Sequence, residues 1–345
     1  MKYLSLFTGI GGFELGIGND SECVGYSEID KYAIQIYQSH FPDHHNYGDI
    51  TKIEADTLPD FDLLVGGFPC QAFSIAGKRK GFNDTRGTLF FDIARIIKAK
   101  QPRLFVLENV KGLLSHDNGS TFRTIIATLD DLGYDLQWQV LNSKDFCVPQ
   151  NRERVFIVGN LRGTSRPKVF PITKDDGENK GQPTSNAITA NYWKGIDNHG
   201  QRTHIGTLRT HKDGEGFREV KSGISPTIPA RAREDGSGQP VIVASRGRNP
   251  SNPSDRTTGA PTEQRLEPNE QGISNTLTSV QKDNLVLEDM RIRRLTPIEC
   301  ERLQGFPDKW TEGISETQRY KCLGNAVTVN VVRDIMSRIK NENDL

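Results

Sequence analysis

What most limits the fold of this chain is an alternation of short apolar runs with stretches of helical spacing. Tyr3 to Phe7, Glu22 to Ser27, Asn46 to Ile50, Phe61 to Val65 and Arg103 to Leu107 are each too brief for a helix and read as strands. Between them, Gly12 to Gly18, Lys31 to His40 and Thr88 to Ala99 read as helices. The last of these carries Leu89, Ile93, Ile96 and Ile97 on one face. This βαβ order predicts an α/β fold built on a doubly wound, mainly parallel sheet. After a helical stretch from Phe122 to Leu132, the runs Leu136 to Leu141 and Arg154 to Val158 predict an antiparallel edge.

From about Arg166 the texture changes to Gly, Pro, Ser, Thr and Asn, with apolar residues in twos and threes. A degenerate repeat runs through it: SNAITAN from Ser185, SPTIPAR from Ser225, SNTLTSV from Ser274 and a looser IGTLRTH from Ile205. Short β-branched runs such as Val241 to Val243 and Leu285 to Leu287 follow several copies. The segment therefore reads as a smaller β-rich domain of hairpins. Asn325 to Lys340 is amphipathic and is expected to pack back on the first domain.

The 345 residues leave room for two domains, and 44 basic residues balance 44 acidic ones, so any basic surface must be local. Lys78-Arg79-Lys80 and Arg291 to Arg294 are the local clusters. Five scattered cysteines (Cys23, Cys70, Cys147, Cys300, Cys322) form no C-x-x-C pair, which argues against a zinc ribbon or a disulfide framework and fits a reducing cytoplasm. His40 and His44 flank Pro42, so no metal site is expected there. With an apolar run starting at Tyr3 and no long apolar stretch, neither a signal peptide nor a membrane span is expected.

In a doubly wound sheet, ligands bind beyond the carboxyl ends of the strands. At those ends stand Thr8-Gly9-Ile10-Gly11-Gly12, then Glu28, Asp49, Cys70 and Glu108. The glycine turn lets backbone approach a ligand, and Glu28 suits ribose hydroxyls, although a tight turn without a ligand reads equally well. Phe13 after Gly12 breaks the G-x-G-x-x-G pattern, which disfavours a dinucleotide. Asp49 is placed to accept from an exocyclic amine, or else caps a helix. A thiol at Cys70 is already nucleophilic, and an acid at Glu108 beside it would protonate a ring nitrogen as sulfur attacks the neighbouring carbon. Gln150, Arg152 and Arg154 alternate in VPQNRERVFIVG. Their side chains are expected on one side of an extended strand, as a clamp for carbonyl oxygens or phosphates, or as a salt-bridged edge with Glu153.

The order of these blocks resembles the cytosine-C5 DNA methyltransferase family. LSLFTGIGGFELG is similar to its opening glycine motif, GGFPCQAFSIAGKRKGF to its catalytic loop, LFVLENVKGLL to its acidic motif and QNRERVFIVG to its Gln-x-Arg-x-Arg motif. RRLTPIECERLQGFPD and CLGNAVTVNVV resemble its last two motifs. The resemblance implies the fold of S-adenosylmethionine-dependent methyltransferases, with a catalytic domain over residues 1–170, a target recognition domain over 171–314, and a return to the catalytic domain over 315–345. It implies Cys70 as the nucleophile at cytosine C6, Glu108 at N3, and Arg152 and Arg154 ordering the site and holding a flipped base. Phe7, Gly9, Gly11, Glu28, Ile29, Asp49, Ile50 and Asn325 fall at S-adenosyl-L-methionine positions. Duplex DNA is the implied partner, with Lys78, Arg79, Lys80 and Gln150 as contacts and Arg209, Arg231, Arg233 and Arg246 as candidates for reading bases. Gly77, Gly81 and Gly87 are expected to let the loop after Cys70 close over DNA. A monomer acting in the cytoplasm is expected, with a cognate restriction endonuclease that forms no stable complex with it. The competing readings are methylation of RNA, as in the family's tRNA branch, a catalytically silent nucleic-acid binder, and a nucleotide-dependent oxidoreductase.

Overall fold

A computed structural model describes residues 1–69, 89–173, 206–209, 216–219, 241–248, 263–269, 274–275, 277, 284–288 and 291–341. Strands β1 (Lys2–Leu6), β2 (Glu22–Ser27), β3 (Leu63–Gly67) and β4 (Leu104–Val110) are parallel neighbours. They are followed by β5 (Tyr134–Asn142), the two-residue β6 (Gln150–Asn151) and β7 (Glu153–Leu161). The main sheet runs β2-β1-β3-β4-β7-β5, with β7 antiparallel to both its neighbours. The antiparallel edge is thus present. Because β1 has β2 on one side and β3 on the other, the strand order reverses there. The loops after β1 and β3 therefore flank the crevice where such sheets take ligands.

Alternation along buried parallel strands sends apolar side chains to both faces. On one face, Leu64, Phe105 and Leu107 pack with Ile93, Ile96 and Ile97 of α3 (Leu89–Lys100) and Ile125 and Leu129 of α4 (Ser120–Asp131). On the other, Leu63, Val65, Leu104 and Val106 meet Phe13 and Ile17 of α1 (Gly12–Ile17). A third cluster joins Ile10 and Ile36 of α2 (Lys31–His40) to Leu277, Leu295, Cys300, Leu303, Phe306, Trp310 and Leu323.

The expected strand at Asn46 to Ile50 is not formed. Asn46 makes one isolated parallel bridge to Tyr26, Gly48 takes φ 71°, and Asp49 caps a 3₁₀ turn at Ile50–Lys52. The left-handed glycine ends the extended run before it can pair.

Beyond residue 200 the described backbone is β-rich, as expected. β8 (Gly206–Arg209) and β9 (Gly216–Glu219) pair antiparallel. β10 (Val241–Arg248) and β11 (Glu263–Asn269) belong to a second sheet. The short β12 (Ser274–Asn275) instead pairs parallel with β6, while β13 (Asn284–Glu288) and β14 (Arg291–Arg294) complete the second sheet in the order β11-β10-β13-β14. The repeat copies from Ser185 and Ser225 lie outside the described residues. Helices α5 (Pro297–Leu303), α6 (Glu316–Asn325) and α7 (Val329–Asn341) follow. The expected single helix from Asn325 is therefore split: Asn325 ends α6, and α7 begins at Val329. A Cβ on Gly16 would come within 2.4 Å of Val332, so the missing side chain is what lets α1 and α7 pack closely.

Candidate active site

The turn after β1 has three left-handed residues, Phe7 (φ 53°), Gly9 (φ 57°) and Gly11 (φ 90°). Thr8 pins it to the sheet, its N–H donating to Ser27 O at 3.3 Å and its carbonyl accepting from Gly11 N at 3.2 Å. Glu28, at the end of β2, accepts from Gly9 N at 2.9 Å through Oε2, and from Ile29 N and Asp30 N at 2.8 Å through Oε1. A carboxylate has about four acceptor positions, so one remains on Oε2. Asn46 ties this corner together, accepting from Glu28 N at 3.3 Å and Gly48 N at 2.9 Å and donating to Glu28 O at 3.2 Å.

Next to Glu28, Ile29 is 73% exposed. A Cβ on Gly9 or Gly48 would meet nothing within 4 Å, so both glycines border open space. Asp49 is partly exposed and takes bonds from the N–H and hydroxyl of Thr51 on Oδ1, which hold its carboxyl below the usual range. A spare acceptor, a free carboxylate oxygen and an uncovered isoleucine around open space fit a nucleoside's ribose, amine and ring. Ile50 instead turns into the first core cluster, so Ile29 supplies the exposed apolar face. Asn325 is exposed at the end of α6.

At the end of β4, Glu108 meets Arg154 of β7, with Oε1 3.0 Å from Nε and side chains only 11% and 16% exposed. Burial pushes the Glu108 carboxyl up, and the Arg154 guanidinium pulls against that rise. The other oxygen of Glu108 lies over β3, 3.2 Å from where a Cβ on Gly67 would be, so the glycine leaves room for the acid. Asn109, which the sequence reading passed over, donates to Phe68 O at 2.8 Å. It thereby fixes the chain two residues before Cys70. Its signal was a second polar residue inside an apolar strand, directly after the acid. Cys70, Lys78, Arg79 and Lys80, with the expected loop closure, lie outside the described residues, as do Arg231 and Arg233. Arg209 and Arg246 lie on β8 and β10, where only the backbone is described.

A model of C-5 cytosine-specific DNA methylases matches residues 1–341. The chain belongs to this family. It is 40% identical over 346 residues to the type II methyltransferase M.HpaII of Haemophilus parainfluenzae, covering 96% of this chain and 87% of that one. Against the type II methyltransferase M1.ScrFI of Lactococcus lactis subsp. cremoris it is 38% identical over 350 residues, covering 98% and 77%. Among solved structures, a putative DNA modification methyltransferase encoded within an E. coli prophage superposes with a TM-score of 0.64 over 100% of both chains. At 22% identity, that likeness shows the fold.

In this DNA methylase the Gln-x-Arg-x-Arg segment does not form one open clamp. Arg152 N–H bonds Gln150 O at 3.1 Å, which breaks the extended chain between β6 and β7. Gln150 is 0% exposed, donating to Leu303 O at 3.0 Å and accepting from Leu277 N at 3.4 Å. Its expected contact with DNA is therefore corrected, because both ends of the amide are occupied by the chain itself. Arg152 is 2% exposed and donates to Leu277 O at 3.2 Å, Gly324 O at 3.1 Å and Ala326 O at 2.7 Å. Burial pulls its guanidinium down to about 9. The side chain binds the turn around Asn325 and the segment after β12 to the sheet edge. Replacing Arg152 with methionine keeps the stem and removes the donors from three carbonyls. We expect a loss of about 3 kcal/mol, after relief of the buried charge, and a melting temperature several degrees lower by calorimetry. An unchanged melting temperature would show that the three bonds contribute nothing net.

Proposed function

We propose that this chain transfers a methyl group from S-adenosyl-L-methionine to C5 of a flipped-out cytosine within a specific duplex DNA sequence. The observation that carries this is the buried Glu108–Arg154 pair, set beside the Asn109-anchored start of the Cys70 loop and on the same sheet edge as the Glu28 turn. Extruding a base costs on the order of a few kcal/mol, recovered through contacts in a pocket of this kind. Cys70 adds as thiolate to C6. Glu108 holds or protonates N3, which draws electron density from C6 and makes C5 carbanion-like once sulfur has added. Arg154 orients Glu108, and Arg152 orders the chain around it. The donor, when bound, supplies the methyl group. Loss of the C5 proton and elimination of Cys70 then release 5-methylcytosine.

For the donor, Glu28 accepts from the ribose, Asp49 from the adenine amine, and Ile29 covers the ring. Phe7, Gly9 and Gly11 present backbone, Ile50 backs Asp49 from the core, and Asn325 closes the far side. Lys78, Arg79 and Lys80 bind phosphates, and Arg209, Arg231, Arg233 and Arg246 are candidates for reading bases. Leu277, Leu295, Cys300, Leu303, Phe306 and Trp310 share a core cluster with Ile10 and Ile36, so residues assigned to the target recognition domain over 171–314 also pack on the catalytic domain. The enzyme acts as a monomer in the cytoplasm, and any cognate endonuclease forms no stable complex with it.

Base-resolution mapping of 5-methylcytosine in a methylation-free bacterial host expressing the chain tests this reading. Full methylation at one short motif is the expected result. An unmethylated genome in cells holding soluble protein that binds DNA would overturn it.

A further inference from the structure

Glu14 lies beneath the glycine turn, 3% exposed, and no role above uses it. Two hydroxyls donate to one of its oxygens, and each is backed by a further polar group. Thr8 Oγ1 donates to Glu14 Oε1 at 2.7 Å, and Tyr37 Oη donates to the same oxygen at 3.2 Å. With those protons committed, Ser5 Oγ donates to Thr8 at 2.8 Å and His44 Nδ1 donates to Tyr37 at 2.9 Å. The result is two donor branches meeting at one carboxyl oxygen, in a group that burial pushes up and these hydroxyls pull back down. Oε2 is buried and has no partner among the described residues. A buried carboxylate with an idle oxygen is costly, so its retention in the core calls for a return.

That return is at Thr8. Its N–H, carbonyl and hydroxyl are all turned inward, to Ser27, Gly11 and Glu14, and Thr8 is flanked by the left-handed Phe7 and Gly9. A Cβ on Gly9 would meet nothing within 4 Å, so the outward face of the turn is the one bordering open space. Trp310 Nε1 secures the carbonyl of Ile10, two residues on, at 2.8 Å. Among the described residues, the bond from Thr8 to Glu14 is the only side-chain hydrogen bond of Thr8 to α1, and it ties the turn to that helix.

We propose that Glu14 is a positioning residue for the methyl donor, holding the Phe7–Gly11 turn in its binding shape through Thr8. This rests on the reading above that the turn takes S-adenosyl-L-methionine. Glu14 touches neither donor nor base; it acts through the hydroxyl of Thr8.

The test is calorimetric titration of the full chain with S-adenosyl-L-homocysteine. Glu14→Leu and Thr8→Val should each raise Kd about tenfold, the worth of one buried hydrogen bond. The double variant should be no weaker than the weaker single one, because both remove the same bond. Glu14→Gln, which keeps an acceptor at Oε1, should stay within about threefold of wild type. KM for the donor should rise with Kd while kcat at saturating donor and the affinity for DNA stay unchanged. Should Glu14→Leu not fold, Thr8→Val and Glu14→Gln carry the test, since neither changes side-chain volume much. Wild-type Kd in Thr8→Val, or additive losses in the double variant, would overturn the positioning role and leave the methyl-donor reading standing. A wild-type chain that binds no S-adenosyl-L-homocysteine would overturn both.

Discussion

Cells expressing the Cys70→Ala variant should carry no 5-methylcytosine at the site methylated by the wild-type chain, with turnover lowered roughly 10⁴-fold or more. Cytosine C5 is not nucleophilic enough to take a methyl group while the ring is intact. Addition of a thiolate at C6 opens that route, and an alanine offers nothing to add. A free thiol is only a few per cent ionised at neutral pH, yet sulfur is intrinsically reactive enough for such a fraction to act as nucleophile. Binding should survive, because the contacts proposed for the donor lie on the turn after β1 and the corner after β2, not on the loop after β3. The same variant should form no denaturation-resistant complex with DNA carrying 5-fluorocytosine, from which the C5 substituent cannot leave as a proton. A covalent complex of wild type but not of the variant assigns the sulfur. Residual methylation by the alanine variant would remove Cys70 from the mechanism.

Much of this arrangement was legible in the sequence because it depends on local pattern. The apolar runs at Tyr3, Glu22, Phe61 and Arg103 did become parallel neighbours, and residues just past a strand must emerge at its carboxyl end. That rule alone brought Glu28 and Glu108 to one edge, and it puts Gly67 next to Glu108 through the pairing of β3 with β4. Elsewhere the structure depends on distant partners that no window contains. Gln150 and Arg152 alternate as a strand face would, but their acceptors are carbonyls of Leu303, Leu277, Gly324 and Ala326, as far as 174 residues away. A one-residue interruption at Arg152 was enough to defeat the period-2 reading. Nothing in the sequence marks Glu14 as a core residue. An acid in the first turn of a helix ordinarily faces water, favoured there by the helix dipole. Here Gly12 and Gly16 pack one side of α1 on Val327 and Val332, while Glu14, on the opposite side, meets Thr8 and Tyr37 instead of water. Asn46 to Ile50 failed for a local reason, since Gly48 and Asp49 encode a turn and a cap that outweigh the extended propensity of Tyr47 and Ile50.

Glu108→Gln tests the acid half of the site, and kcat should fall about 10²- to 10⁴-fold, the usual worth of a positioned general acid. Glutamine fills the same space above Gly67 and still offers an oxygen to Arg154, so the change isolates the exchangeable proton. The pH dependence carries the sharper signature. Burial raises the carboxyl above its ordinary value, so the protonated form persists to higher pH than in a free glutamate, and Arg154 opposes that rise. If the protonated acid is the working form, wild-type kcat falls as pH increases through this raised value. The glutamine variant should lose that limb and show a flat profile there. Arg154→Met should move the limb the other way, to higher pH, because removing the cation withdraws the interaction that favours the carboxylate. The linkage to stability has the same sign. A carboxyl raised on folding contributes stability below its unfolded value, and that contribution is lost as pH rises through the folded one, so wild type should lose more melting temperature than Glu108→Gln across that interval. An unchanged descending limb in Glu108→Gln would show that another group supplies the proton.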